Sequence, residues 1–404
     1  MENQKKNVKR KRAKEGAIKL TKLFKEFFKS EKTGGLILII ATAVSFILAN
    51  TVFSNHYIEL WHHEVGGHSI VHWINDGLMT LFFLLIGLEL EREIYKGELS
   101  NIKNALLPIF GAVGGMLVPA IIYLSLNLGK PTSSGAGIPM ATDIAFAIGI
   151  LSLLGKKVPS SLKIFLTALA VIDDLGAIIV IALFYSTSIS FLHLFIALGI
   201  FGILLILNKL KIHNLIPYLL GGIVMWYFML NSGVHATITG VLLAFAIPFS
   251  DGSKKSPSYI LQHFLHKPVA FVILPLFAMA NTCITIGTGW QNGLVQSGSL
   301  GIITGLVIGK PLGIWLFSFI SVGLGLCALP NDLKWKNIVG AGLLGGIGFT
   351  MSIFITLLAF DNETLINNAK FAIIMASIIS GIIGFTYLKL TLSKKEAVVV
   401  QNEN

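Results

Sequence analysis

The stretch ALAVIDDLGAIIVIALF, Ala168 to Phe184, decides the fold. It belongs to an apolar run long enough to cross a bilayer as a helix. Its only charged residues are two adjacent acids, Asp173 and Asp174, set in the middle. Similar runs recur along the whole chain of 404 residues, which is 54% hydrophobic and only 13% charged. Soluble domains carry roughly a quarter charged residues. The expectation is an all-α polytopic membrane protein, with most charge confined to the segments between apolar runs.

The net charge of +11 does not indicate nucleic acid, because 12 of the 31 Lys and Arg residues fall within the first 32 positions. That head reads as a basic cytoplasmic tail, residues 1–30. Its amphipathic stretch AIKLTKLFKEFFKS suits anionic membrane lipid. A membrane domain over 31–390 and a cytoplasmic C-terminal tail over 391–404 complete the division. Cys283 and Cys327 lie far apart and form neither a disulfide framework nor a metal spacing. No cofactor is expected.

Twelve transmembrane helices are expected, at about 34–52, 70–90, 103–125, 137–155, 159–186, 191–209, 214–230, 232–249, 268–286, 299–323, 337–360 and 367–389. With the N-terminus inside, the inner segments hold 28 Lys and Arg and the outer loops hold one, Lys130; Lys310 and Lys370 fall within spans. This is the asymmetry of the positive-inside rule. It places both termini in the cytoplasm.

Ionisable residues inside the spans are then few: Asp76, Glu89, Asp143, Asp173, Asp174, His235, Lys310 and Lys370. A charge at mid-membrane costs roughly 2.5–3.5 kcal/mol on insertion scales, so such residues default to function. Neighbouring residues on a helix point about 100° apart. One acid of the pair can therefore face a water-filled funnel while the other turns to a neighbouring helix. The two titrate as a coupled unit. Ionised, they offer the hard oxygen ligands that small hard cations favour. Protons and a metal ion then compete for the same oxygens, which is the requirement for a cation/proton exchanger. Lys310, in VIGKPLGIW, is too deep to snorkel and needs an ion-pair partner, Asp173 or Asp174.

Two helices read as interrupted. In GIPMATDIAFAIGILSLL, Pro139 precedes Thr142 and Asp143. A carboxylate there offsets the positive end of a half-helix, and Thr142 supplies a hydroxyl ligand or a cap. In NIVGAGLLGGIGFTMSIFITLLAF, Gly345, Gly346 and Gly348 crowd the centre. Each helix is the middle of a triplet, 3–5 and 10–12, entering from opposite sides, as in an inverted repeat with its site at mid-membrane. An intramembrane aspartyl protease would need its acids on different helices with a GxGD-type motif, and none is present. A passive channel would show no proton counterflow.

WINDGLMTLFFLLIGLELERE (73–93), PMATDIAFAIGILSLL (139–154), ALAVIDDLGAIIVIALFY (168–185), NSGVHATITGVLLAFAIP (231–248), ILPLFAMAN (273–281), GKPLGI (309–314) and LGGIGFTMSIFI (344–355) closely resemble, in order, the NhaA-type sodium/proton antiporters. The resemblance spans about 31–388. It implies an electrogenic antiporter of a bacterial inner membrane, exporting Na+ or Li+ against more protons. Asp173 and Asp174 would bind cation and protons. Lys310 would pair with Asp173 and balance the negative half-helix ends. Asp143 would balance the positive ends, with Thr142 near the ion. The resemblance also implies a pH-responsive set at Glu89, Arg92, Glu93, His263 and His266, with His235 linked to pH response. Glu91 and Gln262 depart from the pattern: a basic residue is usual at the first, and an acid frequent at the second. The outer loop HYIELWHHEVGGHSIVHW (56–73) contains HEVGGH, one residue too long for a zinc-protease signature. The resemblance implies instead a β-hairpin there, joining two protomers as a homodimer, and Gly66-Gly67 between β-prone runs suits one.

Overall fold

The computed structural model describes residues 33–186, 189–250, 252–287 and 290–401. The basic head and its amphipathic stretch lie outside the described residues, as do residues 402–404.

A backbone in lipid must satisfy its own polar groups, and helices do so within one segment. Among the described residues eight helices are long and apolar enough to cross a membrane: Ile70–Lys96, Ala105–Asn127, Ser133–Leu153, Ser160–Phe184, Phe191–Lys209, Pro257–Asn281, Ser297–Gly323 and Glu363–Leu392. Trp335–Gly345 and Phe349–Ala359 form one further pair, bent by 49° at the break. Thr33–Leu48 and Ile216–Leu230 are shorter apolar helices, and Ile238–Ala246 is shorter still. The chain is a multi-pass, all-helical membrane protein. Among the described residues the one sheet is the two-stranded antiparallel hairpin Glu64–Val65 with His68–Ser69. Gly66 and Gly67, at φ +64° and +87°, make the left-handed turn that glycine tolerates.

Four boundaries differ clearly from those read in the sequence. The helix expected over 232–249 begins only at Ile238. Gly233 sits at φ +81°, and the Ser232 hydroxyl accepts from the Val234 N–H. This turn interrupts the apolar run and places His235 before the helix rather than in it. The helix expected from 268 begins at Pro257, because the Ser256 side chain caps the Tyr259 N–H. Its first part is amphipathic, so a hydropathy window passes over it. That helix ends at Asn281 rather than at 286. The last helix runs from Glu363 to Gln401, so the expected C-terminal tail is helical as far as that residue.

The centre is held by close backbone approaches. A Cβ on Gly114 would lie 2.2 Å from the Gly313 carbonyl oxygen, and one on Gly313 would lie 2.1 Å from that of Gly114. Only paired glycines let Ala105–Asn127 and Ser297–Gly323 cross so tightly, and that crossing carries Lys310 into the core. A π turn, Gly305–Gly309, leads directly into Lys310. By contrast only 11% of the most apolar stretch of Phe191–Lys209 is buried, which puts that helix at the rim.

Candidate functional site: crossed half-helices around buried charge

Two spans are interrupted where they meet. The first is a 3-10 half, Ser133–Met140, then extended backbone at Ala141–Asp143, then an α-helical half, Ile144–Leu153. The second breaks between Gly345 and Phe349. Gly346 and Gly348 hold ordinary negative φ values there, −68° and −91°. What they supply is room: a Cβ on Gly346 would lie 2.4 Å from the Leu306 carbonyl oxygen. A Cβ on Gly345 would meet Ile314 Cδ1 at 3.1 Å. The two breaks touch directly through the Asp143 N–H, which donates to the Ile347 carbonyl at 2.7 Å.

Each break leaves N–H groups pointing out of one half-helix and carbonyls out of the other. Asp143, 2% exposed, serves both N-terminal ends. Its Oδ1 accepts from the Phe146 N–H at 3.0 Å. Its Oδ2 accepts from the Thr350 N–H at 3.1 Å and from the Thr350 hydroxyl. The C-terminal ends meet donors. Lys310 Nζ donates to the Met140 carbonyl. Ser352 Oγ donates to the Ile138 carbonyl at 2.7 Å. Thr142 Oγ1 lies 3.0 Å from the Gly345 carbonyl and 2.8 Å from Asp173 Oδ2, two acceptors sharing one hydroxyl proton. The negative end of a half-helix thus faces a cation and the positive ends face an anion, the favourable sense for the helix dipole.

Asp173 and Asp174, each 1% exposed, come from the middle of Ser160–Phe184. Asp173 Oδ2 pairs with Lys310 Nζ at 2.9 Å, both side chains wholly buried. Asp174 points elsewhere, onto the wall of a cavity of about 50 Å³. That wall also includes Asp143 and Thr350 at one end and Glu89 and His266 at the other. Phe82, Leu85, Ile86 and Glu89 follow it along one helix, a depth of about 10 Å at 1.5 Å per residue. Oδ1 of Asp173 and Oδ1 of Asp174 are buried without a hydrogen-bond partner. A buried oxygen without a donor costs free energy unless a proton or a cation meets it.

At the Glu89 end, Ile70–Lys96 and Pro257–Asn281 lie together. Glu89 Oε1 is 3.8 Å from His266 Nδ1. Arg92 sits 5.5 Å from the centre of the Tyr259 ring, which stacks with His263 at 6.0 Å. Glu93 lies on the same helix, folded over Gly97. Glu91 is 4% exposed and accepts from Ser258 Oγ at 3.1 Å. His235 does not join this group. Its Nε2 bonds the Tyr185 carbonyl at 2.9 Å, at the far end of the span that carries the two acids. Thr350, Ser352 and the Met140 carbonyl completed the crossing without being legible beforehand. Small hydroxyl residues are common inside membrane helices, and a backbone carbonyl has no sequence signal.

No group of three or more His, Cys, Asp or Glu side chains gathers in metal-binding fashion among the described residues, the HEVGGH loop included.

All-helical, multi-pass and built around two crossed, interrupted helices with buried charge, the molecule has the architecture of a secondary transporter. Residues 25–388 match the family described as Na+/H+ antiporter 1. The chain is 69% identical over 376 residues to the Na(+)/H(+) antiporter NhaA 1 of Flavobacterium johnsoniae, covering 93% of this chain and 99% of that one. It is 65% identical over 387 residues to the Na(+)/H(+) antiporter NhaA of Flavobacterium psychrophilum, covering 96% and 100%. In fold it is similar to the solved sodium proton antiporter MjNhaP1 of Methanocaldococcus jannaschii, with a TM-score of 0.55 at 15% identity, over 91% of this chain and 99% of that one. The chain belongs to the Na+/H+ antiporter 1 family, and is a secondary transporter rather than an enzyme.

Proposed function

We propose that the protein exports sodium, or lithium, in electrogenic exchange for protons, by letting cation and protons compete for Asp173 and Asp174. One observation carries this reading. The two carboxylates are neighbours in sequence yet divided in role, Asp173 held by Lys310 and Thr142, Asp174 set on the cavity wall. A cation entering past Glu89 meets Asp174 first. Ionised oxygens hold it at the cost of their protons. Protons arriving from the opposite side displace it, and the neutralised pair is then cheap to keep in a low-dielectric core. Occupancy of Asp173 weakens the hold on Lys310, so loading of the site reaches the Met140 carbonyl and the half-helix behind it. Each net charge moved is worth about 2.3 kcal/mol per 100 mV of membrane potential.

The eight long helices, the bent pair and the three shorter apolar helices support a reading of twelve crossings, with both termini inside a bacterial inner membrane. The exposed edges of the Glu64–Val65 and His68–Ser69 hairpin support a homodimer contact, since an unpaired strand edge is a template for a second chain. The Glu89, Arg92, Glu93, His263 and His266 set, at the Glu89 end, supports a pH-dependent entrance.

The test is sodium-dependent proton release in everted vesicles carrying an imposed pH gradient, followed with a pH dye. Wild-type vesicles are expected to respond to Na+ and Li+. Asp173→Asn and Asp174→Asn are each expected to abolish the response. Full exchange in either variant, or sodium flux without proton counterflow, defeats the proposal.

A further inference from the structure

The half-helix Ser133–Met140 closes the site on the side away from Glu89, and it is bonded in an unusual way. A 3-10 segment has poorer hydrogen-bond geometry than an α-helix and rarely runs this long. Here its carbonyls are held from outside by side chains of four other segments. Tyr123 Oη donates to the Thr132 carbonyl at the segment's start, at 2.7 Å. Tyr185 Oη donates to the Ser134 carbonyl at 2.7 Å. Ser352 and Lys310 serve Ile138 and Met140 at its end.

Tyr185 differs from the other three. Its hydroxyl also accepts from the Gly137 N–H at 3.2 Å. Ser134 and Gly137 are the i and i+3 residues of one 3-10 turn, so a single phenol straddles that turn, giving its proton to the acceptor and taking one from the donor. Both hydrogen-bonding functions of the hydroxyl are used. Gly137 is what lets the ring approach: a Cβ there would lie 2.7 Å from Tyr185 Oη. The Tyr185 backbone is in turn fixed by His235, whose Nε2 must carry the hydrogen and donate, because a carbonyl faces it. A continuous chain of bonds therefore runs from His235 through Tyr185 to the half-helix, and from Met140 through Lys310 to Asp173.

We propose that Tyr185 is a positioning residue for ion exchange: its hydroxyl latches the Ser133–Met140 half-helix in the arrangement that seals the acid pair from the side opposite Glu89, and the latch must release for that side to open. The proposal rests on the reading of the acid pair as the exchange site. The segment cannot shift while one phenol bridges its turn. Once that bridge is lost, its outer part is tied only by Tyr123 and by the Ser134 hydroxyl, which donates to the Ala359 carbonyl at 2.8 Å, while Ser352 and Lys310 still hold the end next to the acids. The half-helix then swings about Met140 rather than detaching. His235 acts through Tyr185, on the far face of the site, and takes no part in the entrance group around Glu89.

The experiment uses the full-length protein in lipid nanodiscs and proteoliposomes, as wild type, Tyr185→Phe, Gly137→Ala and the double variant, with Tyr227→Phe as a control at an exposed tyrosine. Amide hydrogen exchange over residues 133–140 reports the latch. The KM for sodium, presented from the Glu89 side, reports the fraction of molecules open to that side. Losing one buried hydrogen bond shifts a two-state equilibrium about fivefold. Tyr185→Phe is therefore expected to speed exchange of these amides about fivefold and to raise the KM about threefold, with a smaller change in kcat. Gly137→Ala is expected to do the same by displacing the hydroxyl. Added to Tyr185→Phe it should do little more, because the clash with the hydroxyl is then gone and the next contacts lie at 3.3 and 3.4 Å. Unchanged amide exchange, an unchanged KM, or fully additive effects in the double variant overturn the proposal. Absence of sodium-driven proton flux in the wild type would instead count against the antiport reading, while the amide measurement would still read the latch.

Discussion

Replacing Lys310 by Met tests whether the core pair is charged. Lys310 and Asp173 are buried completely, with Nζ 2.9 Å from Oδ2. At that distance, with an effective dielectric constant near 20, the gross attraction is about 6 kcal/mol. Removing one partner of a buried pair costs about 3–5 kcal/mol, because the other charge stays behind uncompensated. Thr142 remains as a donor to Asp173 and offsets part of this; the Met140 carbonyl, losing its donor, adds to the cost. Lys310→Met is thus predicted to destabilise by about 3–5 kcal/mol, a drop in melting temperature on the order of 5 °C or more. The companion variant Lys310→Met/Asp173→Asn removes the stranded charge but not the orphaned carbonyl. It should recover all but about 1–3 kcal/mol, the cost of one unsatisfied buried group. The assay is thermal unfolding in detergent, with folding at the start checked by size-exclusion chromatography. A single variant that loses only about 1–3 kcal/mol, no more than the double, would mean the pair is held neutral, since only packing and the donor to the Met140 carbonyl would then be missing. A double variant no more stable than the single would likewise mean that no charge had been stranded.

Three further predictions concern the surroundings. Asp143→Ala removes the cap from two half-helices at once and should lower stability by about 2–3 kcal/mol, at roughly 1 kcal/mol or more per cap; Asp143→Asn, with one acceptor oxygen for two N–H donors, should fall midway in the same melting assay. Gly346→Ala should cost about 1–3 kcal/mol by overpacking, because its Cβ meets the Leu306 carbonyl oxygen, whereas Gly199→Ala, with nothing within 4 Å, should be neutral or slightly stabilising; equal melting of the two would refute the close-approach account. Ser258→Ala leaves the buried Glu91 carboxylate without its hydroxyl donor, with an expected loss of about 1–3 kcal/mol and a displaced midpoint in the pH profile of exchange; an unmoved profile would remove Glu91 from the pH response.

The acid pair, Asp143 and Lys310 were legible in the sequence because charge in hydrocarbon is costly enough to be rare. The break after Pro139 was legible because proline ends a helix, and the second break because three glycines crowd one turn. The residues alone left the partner of Lys310 open between Asp173 and Asp174, and only the resemblance named Asp173, which the fold pairs with it. Which of two adjacent acids faces a lysine depends on the rotation of Ser160–Phe184 about its own axis, and packing against neighbouring helices sets that. The start of the helix at Pro257 escaped because half of its first three turns is polar, and the turn before Ile238 because it lies within an otherwise apolar run. The resemblance linked His235 to pH response without placing it, and the fold sets it beside Tyr185, at the other end of the span from the Glu89 entrance.

Interrupting a helix inside a membrane is costly, since each freed N–H or carbonyl lacks water to turn to. The crossing meets that cost with Asp143 on the N–H groups and with Lys310, Thr142 and Ser352 on the carbonyls. Two of these, Lys310 and Thr142, also hold Asp173. The donors that satisfy the broken backbone are therefore shared with the carboxylate proposed to bind the ion. A cation or proton arriving at Asp173 competes for Lys310 and Thr142, and whatever they release they can give more fully to Met140 and Gly345. Loading the acid pair and re-bonding the half-helix ends are then one exchange of partners. That is a physical reason for the acids to stand beside the breaks, where a straight helix would offer no backbone groups to exchange.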